Sequence, residues 1–422
     1  MIYFSVMIVN KTIMQLHRLV NKTFLICLIL LSVSLSVFSK EKASRSEYVE
    51  DTKPVFKNKI ELTATTVKDQ FNSGTCWSFS TISMLESELV RFGHEPVDLS
   101  EMFIVRNAYA NKAERYIRMH GKINFGSGGA FNDVTDVISE FGIVPEKAYR
   151  GLITDSLKID HSEMDLVLKE FLNAILETPN KSLSPVWEMG FDNLLNSYLG
   201  TSPELFAYNG EMYTPQGFSR ELDIHPEDYV LLSSFTHHPY YEPFILEVPD
   251  NWSWGKAYNL TLDELEEVAD NALKNKITFV WASDVSEEGF DFNKGLAVAP
   301  EFLYEPMDTK EYRSWKKLSE QERKDSIFNI KNNIKEVEVT AELRQKGFDN
   351  QTTTDDHGMH VTGLAYDDNG KKYYYVKNSW GTGNPYDGYL YVSEAYFRLK
   401  TISIMVHKDA IPNAIKKKLN LN

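Results

Sequence analysis

Cysteine is almost absent from this sequence: two occur in 422 residues, Cys27 and Cys76. Cys27 sits in an apolar N-terminal run, so a chain that sheds that run keeps one thiol and can form no internal disulfide. A disulfide-stapled scaffold is thereby excluded. Positive charge is also scarce, with 45 Lys and Arg against 60 Asp and Glu and a net charge of −15. Residues 1–39 hold Lys11, Arg18 and Lys22 and no acid, so removing these three cations leaves about −18. That excess repels polyphosphate and anionic lipid, and no nucleic acid is expected as a partner. Lys416-Lys417-Lys418 is the one basic cluster and reads as a solvated tail. No internal repeat is present. The uncharged run at 24–38, FLICLILLSVSLSVF, is fifteen residues, too short to span a bilayer comfortably. Placed after Arg18 and Lys22 and ending in small residues before Lys40, it reads as a signal peptide. Export, a mature chain beginning near Lys40, and no membrane anchor after cleavage are the expectations.

What is present is ordinary globular composition, 42% hydrophobic and 25% charged, over a length suited to two or three domains. Against that background the lone thiol stands out. Phe79, Ile82, Leu85, Leu89 and Phe92 follow Cys76 at helical spacing and Gly93 stops the run, which places the cysteine in a helix's first turn. Free N–H groups and the positive end of the macrodipole there favour a thiolate. Gln70 lies six residues upstream across Asn72-Ser73-Gly74, so its amide can fold back toward the sulfur. A carboxamide N–H and the Cys76 N–H are the two donors that an oxyanion hole requires. On its own, a small apolar cysteine in a helix is more often core than nucleophile.

Residues 40–60 read as a polar arm. Helices are expected from Leu99-Ser100-Glu101 to about Arg118 and from Phe131 to Phe141. Between them the cluster Phe125-Gly126-Ser127-Gly128-Gly129 forms a turn that lets another backbone approach closely. Further on, Thr261-Leu262-Asp263-Glu264 is a capping box, and Ile277 to Ala282 a buried strand. His237 and His238 have no Cys or third His at ligand spacing, and no metal is expected.

From residue 355 the pattern is β: HGMHVTGLAY, a DDNG turn, KKYYYVKNSW and GYLYVS. A thiol nucleophile needs an imidazole and a group to orient it. Asn378 supplies the second, while His357 and His360 compete to be the first. With Asp367 to Gly370 as a four-residue loop, Asn378 faces Met359 with His357 diagonal on the same face, and His360 faces Lys377. A three-residue loop would favour His360 instead.

GTCWSF with Gln70, HGMHVTG and NSWG together resemble the papain-like cysteine peptidases. The resemblance implies Cys76 as nucleophile, His357 as its partner, Asn378 to orient the histidine and Gln70 in the oxyanion hole. It implies Trp380 as the shield of the Asn–His bond and Gly128-Gly129 as the glycines that bind substrate backbone. The interval of 281 residues between Cys76 and His357, the missing disulfide cysteines and the phrases at 214–230, 277–289 and 405–412 look like the bleomycin hydrolase and aminopeptidase C branch. The expected fold is α+β: a helical lobe within residues 40–150, an insertion at 151–340 decorating the rim, an antiparallel β-barrel lobe at 341–408 and a tail at 409–422. The expected function is cysteine-type hydrolysis of peptide bonds through a thioester, as an aminopeptidase, with peptide substrates and no cofactor. Alternatives are a secreted endopeptidase or an idle papain-like binding protein. The branch implies homohexamers and a C-terminal arm whose carboxylate holds the substrate's amino group. Here only ten residues follow Pro412.

Overall fold

Helix α1, Cys76–Arg91, begins at the cysteine itself and buries every residue from Trp77 to Leu89. A helix enclosed on all sides cannot lie on a surface, and this one runs between two layers. On one side are α2 (Glu101–Arg118) and α3 (Phe131–Phe141), on the other the sheet. Ser100 caps α2 by accepting from the Phe103 N–H, as the sequence anticipates. Helices α4 (Ser162–Leu176) and α5 (Val186–Leu199) extend this layer, burying Leu168, Leu172 and Leu195 in the same core. The computed structural model describes residues 55–153, 158–179, 182–304, 309–328 and 335–421. The signal-peptide expectation for residues 1–39 falls outside them. Among the described residues no helix is long and apolar enough to cross a membrane.

Eleven strands form the main sheet. In chain order they are β1 (Lys57–Glu61), β2 (Tyr229–Ser233), β3 (Pro243–Ile245), β4 (Lys256–Asn259), β5 (Phe279–Ser283), β6 (Phe290–Asp291), β7 (Leu296–Ala297), β8 (His357–Tyr366), β9 (Lys372–Lys377), β10 (Tyr389–Ser393) and β11 (Thr401–His407). Their spatial order is β3-β4-β2-β11-β5-β8-β9-β10-β7-β6, with β1 paired to β8. Among the described residues this path is open, and the expected barrel is instead a long sheet. The stretch 151–340 was expected at the rim, yet it supplies six of the strands. One of them, β5, lies between β8 and β11. All five β5 residues are buried, as two-sided packing of an apolar run requires. The capping-box helix α6, Leu262–Lys274, covers this sheet with Leu265, Val268, Ala272 and Leu273.

The hairpin of β8 and β9 corrects one detail of the sequence reading. Tyr366 pairs with Lys372, and the Asp367 N–H reaches the Lys371 carbonyl at 3.1 Å, so the loop is three residues, 368–370. That register alone would turn His360 toward Asn378. A bulge at Thr362 removes one step, and beyond it His360 pairs with Lys377. The parity that favours His357 is thus restored by the bulge and not by the turn.

The tail forms a short helix, α7 (Asn413–Lys418), against α6. Ile415 and Leu419 are buried in the sheet-side core, Leu421 packs on it, and Lys418 Nζ lies 2.6 Å from Glu264 Oε1. None of its described residues lines the active-site cleft. Deleting 413–422 should therefore act on stability. Two buried aliphatic side chains contribute roughly 1.5–3 kcal/mol each, so a lowered denaturation midpoint is expected with substrate preference retained. A switch in preference between free-amino and N-blocked peptides on truncation would contradict this.

Candidate active site

Thr75, which precedes α1, makes no side-chain cap; its carbonyl accepts from the Ser78 N–H at 3.0 Å, and the Cys76 N–H is the first donor of the helix. Cys76 is the one free cysteine among the described residues and lines a cleft of about 530 Å³. The backbone N–H groups of Gly358 and Trp77 favour the charged form of its sulfur. Gln70 lines the same cleft. Its backbone N–H donates to the Ser379 carbonyl at 2.9 Å, and its Oε1 accepts from Ser379 Oγ at 2.6 Å. With the amide oxygen held, Nε2 is the donor left over. Gly74 has φ +64°, and a methyl group there would come within 2.2 Å of Ser127 Oγ, so this turn admits only glycine.

His357 is buried at the start of β8, with Nε2 2.7 Å from Asn378 Oδ1. The Ser379 N–H donates to that same Oδ1 at 2.7 Å. An atom that already accepts from a backbone N–H is an oxygen, so Nε2 must donate, and Nδ1 carries the lone pair. Trp380 lies over the imidazole with ring centroids 4.4 Å apart and the planes tilted by 31°. His360 lies elsewhere, with Nδ1 2.9 Å from Ser83 Oγ, which accepts from Lys377 Nζ at 2.7 Å.

Electrostatics run against the thiolate expectation. Burial pushes the Cys76 thiol up to about 12, and the carboxylates of Asp355 and Asp250 add to it; the Gly358 and Trp77 N–H groups oppose without prevailing. Burial likewise pushes His357 down to about 4, opposed by its bond to Asn378. Both shifts favour the neutral thiol and the neutral imidazole over the ion pair. The helix terminus is real, but desolvation of a charged sulfur outweighs it.

The glycine pair Gly128-Gly129 lies along the cleft wall. A methyl group on Gly129 would come within 2.8 Å of Trp77 Cε2. Trp77 Nε1 donates to the Ser127 carbonyl at 2.9 Å, and Lys112 Nζ donates to the carbonyls of Gly126 and Gly128. Sequence reasoning missed Lys112, whose position in α2 carries no motif. It also missed Asp250 and Asp355, which line the cleft from positions 105 residues apart in the sequence. His237 and His238 do gain a third group, Glu247, with His237 Nε2 2.7 Å from Glu247 Oε2. That separation is a direct hydrogen bond, and the cluster lies outside the cleft lining.

Residues 56–163 match the papain family cysteine proteases and residues 320–422 the peptidase C1-like family. Aminopeptidase C of Lactobacillus delbrueckii subsp. lactis is 21% identical, over 90% of this chain and 87% of its own. Bleomycin hydrolase of Gallus gallus is 20% identical, over 89% and 87%. The crystal structure of PepW from Lactobacillus rhamnosis HN001 superposes with a TM-score of 0.65 at 19% identity, covering 86% of this chain and 84% of that one.

Proposed function

We infer that this chain, a papain-like cysteine peptidase of the aminopeptidase C and bleomycin hydrolase branch, removes residues from the amino ends of peptides. The observation that carries the reading is the His357–Asn378 bond with its tautomer fixed by Ser379, in one cleft with Cys76 and Gln70. Cys76 Sγ attacks the scissile carbonyl as its proton passes to His357 Nδ1. The carbonyl oxygen, now negative, accepts from the Cys76 N–H and Gln70 Nε2. The imidazolium returns its proton to the leaving amine, and a thioester remains. Water then adds with His357 as base, and the acid is released. Asn378 holds the ring throughout, and the indole of Trp380 keeps water off the His–Asn bond.

Aminoacyl reporters should be cleaved in preference to their N-acetyl counterparts, and both should be silenced by iodoacetamide. A preference for blocked reporters would instead assign the cleft to an endopeptidase. Export and a closed homohexamer belong to the same proposal. The mature protein should begin near Lys40, and peptide mass spectra retaining residues 18–39 on the active enzyme would refute secretion by cleavage.

A further inference from the structure

The cleft is lined by three carboxylates, Asp250, Asp355 and Asp356, and by no lysine or arginine. Asp356 is engaged, accepting from the Val285 N–H at 2.8 Å and from Ser286 Oγ at 2.5 Å. Asp250 Oδ1 accepts from Asn124 Nδ2 at 2.9 Å. Its Oδ2 points along the glycine wall, so that a methyl group on Gly128 would come within 2.1 Å of it. Asp355 makes no hydrogen bond to the described residues and immediately precedes Asp356 and His357. The nearby Lys112 ammonium is already committed to the carbonyls of Gly126 and Gly128. Both carboxylates act on the reacting sulfur; the Lys112 ammonium offsets Asp250 in part, and burial beside Asp250 and Asp356 pushes Asp355 up to about 7.

The segment that carries Asp250 is firmly held. Trp252 Nε1 and Ser253 Oγ donate to the two oxygens of Asp133 at 2.8 and 2.7 Å. Arg115 Nη1 donates to the Ser253 carbonyl at 2.9 Å, and Asn251 closes the turn by accepting from the Gly255 N–H at 2.7 Å. Asp133 itself anchors the glycine wall by accepting from the Ala130 N–H at 2.9 Å. One buried carboxylate thus fixes the wall and the acidic segment together, as a preorganised binding group requires.

We propose that Asp250 and Asp355 form a subsite for a substrate ammonium group, and that this subsite, supplied by the 151–340 stretch and the approach to β8, selects peptides with a free amino end. The assignment of that ammonium to the peptide's own terminus rests on the aminopeptidase reading. The described tail docks on α6, and none of its described residues lines the cleft.

The test compares kcat/KM for an alanyl and an N-acetyl-alanyl reporter in the wild-type enzyme, in D250N, in D355N and in the double variant. Loss of a charge-assisted contact should lower the free-over-blocked selectivity at least ~10-fold in each single variant, mainly through KM for the free amine. D250E should restore part of it. Selectivity held within about twofold, or equal losses on both reporters, would overturn the subsite. A measurement on the unmodified protein guards against misfolded variants. Alaninamide should slow iodoacetamide labelling of Cys76, read by peptide mass, more than N-acetylalaninamide does at the same concentration. Equal protection by the two would also overturn it. A third reporter, N-acetyl-lysyl-alanyl, separates the two sources of the ammonium. If the aspartate variants affect that reporter alone, the subsite stands and the aminopeptidase reading falls.

Discussion

His357→Ala should lower kcat/KM by about 10²–10⁴-fold, the usual size of general acid–base assistance, whereas His360→Ala should leave turnover within a few-fold. His357 alone presents a lone pair to the cleft, because Asn378 Oδ1 and the Ser379 N–H fix the proton on Nε2. His360 is buried against Ser83 and Lys377, so its loss should be felt in stability. The same geometry sets a pH profile. Only the neutral imidazole can take the thiol proton, and burial holds His357 down to about 4, so it stays neutral well below the ordinary histidine range. Falling pH protonates it late. kcat/KM should hold to about pH 5 and fall as pH passes through about 4. An acid limb centred near 6.5 would mean a solvated imidazole and contradict the buried pair. An inactive His360→Ala enzyme beside an active His357→Ala one would overturn the β8 register at the site.

Gln70→Ala should reduce kcat by about 10²–10³-fold with a smaller change in KM, as removal of one oxyanion-hole donor does elsewhere. The expectation depends on orientation. Ser379 Oγ holds Oε1, so Nε2 is the end aimed at the developing charge. Ser379→Ala should then act through Gln70, with a smaller loss in the same parameter, because the amide becomes free to turn over. Gln70→Glu offers only acceptors when ionised and should be at least as damaging as alanine. A Gln70→Ala enzyme that loses affinity alone would place the amide in ground-state binding.

Much of the chemistry was legible in the chain itself, and for local reasons. A cysteine at the head of an apolar 3.6-residue period lands in the first turn of a helix, and α1 begins at Cys76. Ser100 and Thr261 announce their helices because a capping side chain acts within three residues. The run His357 to Tyr366 is a strand to the residue, since its pattern is of β type and Asp367 to Gly370 breaks it. The strand-parity argument for His357 over His360 agrees with the structure only because a bulge offsets a loop one residue shorter than the sequence suggests.

Tertiary structure decided what depends on groups far apart in sequence. The bulge at Thr362 has no local signature, yet it sets which histidine meets Asn378. Six strands of the sheet come from the 151–340 stretch, of which the sequence announced only β5; β3, β4, β6 and β7 are two to four residues long, too short to carry a period. The thiol's protonation turned on burial, which no helix-terminus argument contains. Asp250 and Asp355 are 105 residues apart and carry no motif. Their meeting in one cleft depends on Asp133 tying the 250–255 turn to the glycine wall, a contact that exists only once the chain has folded.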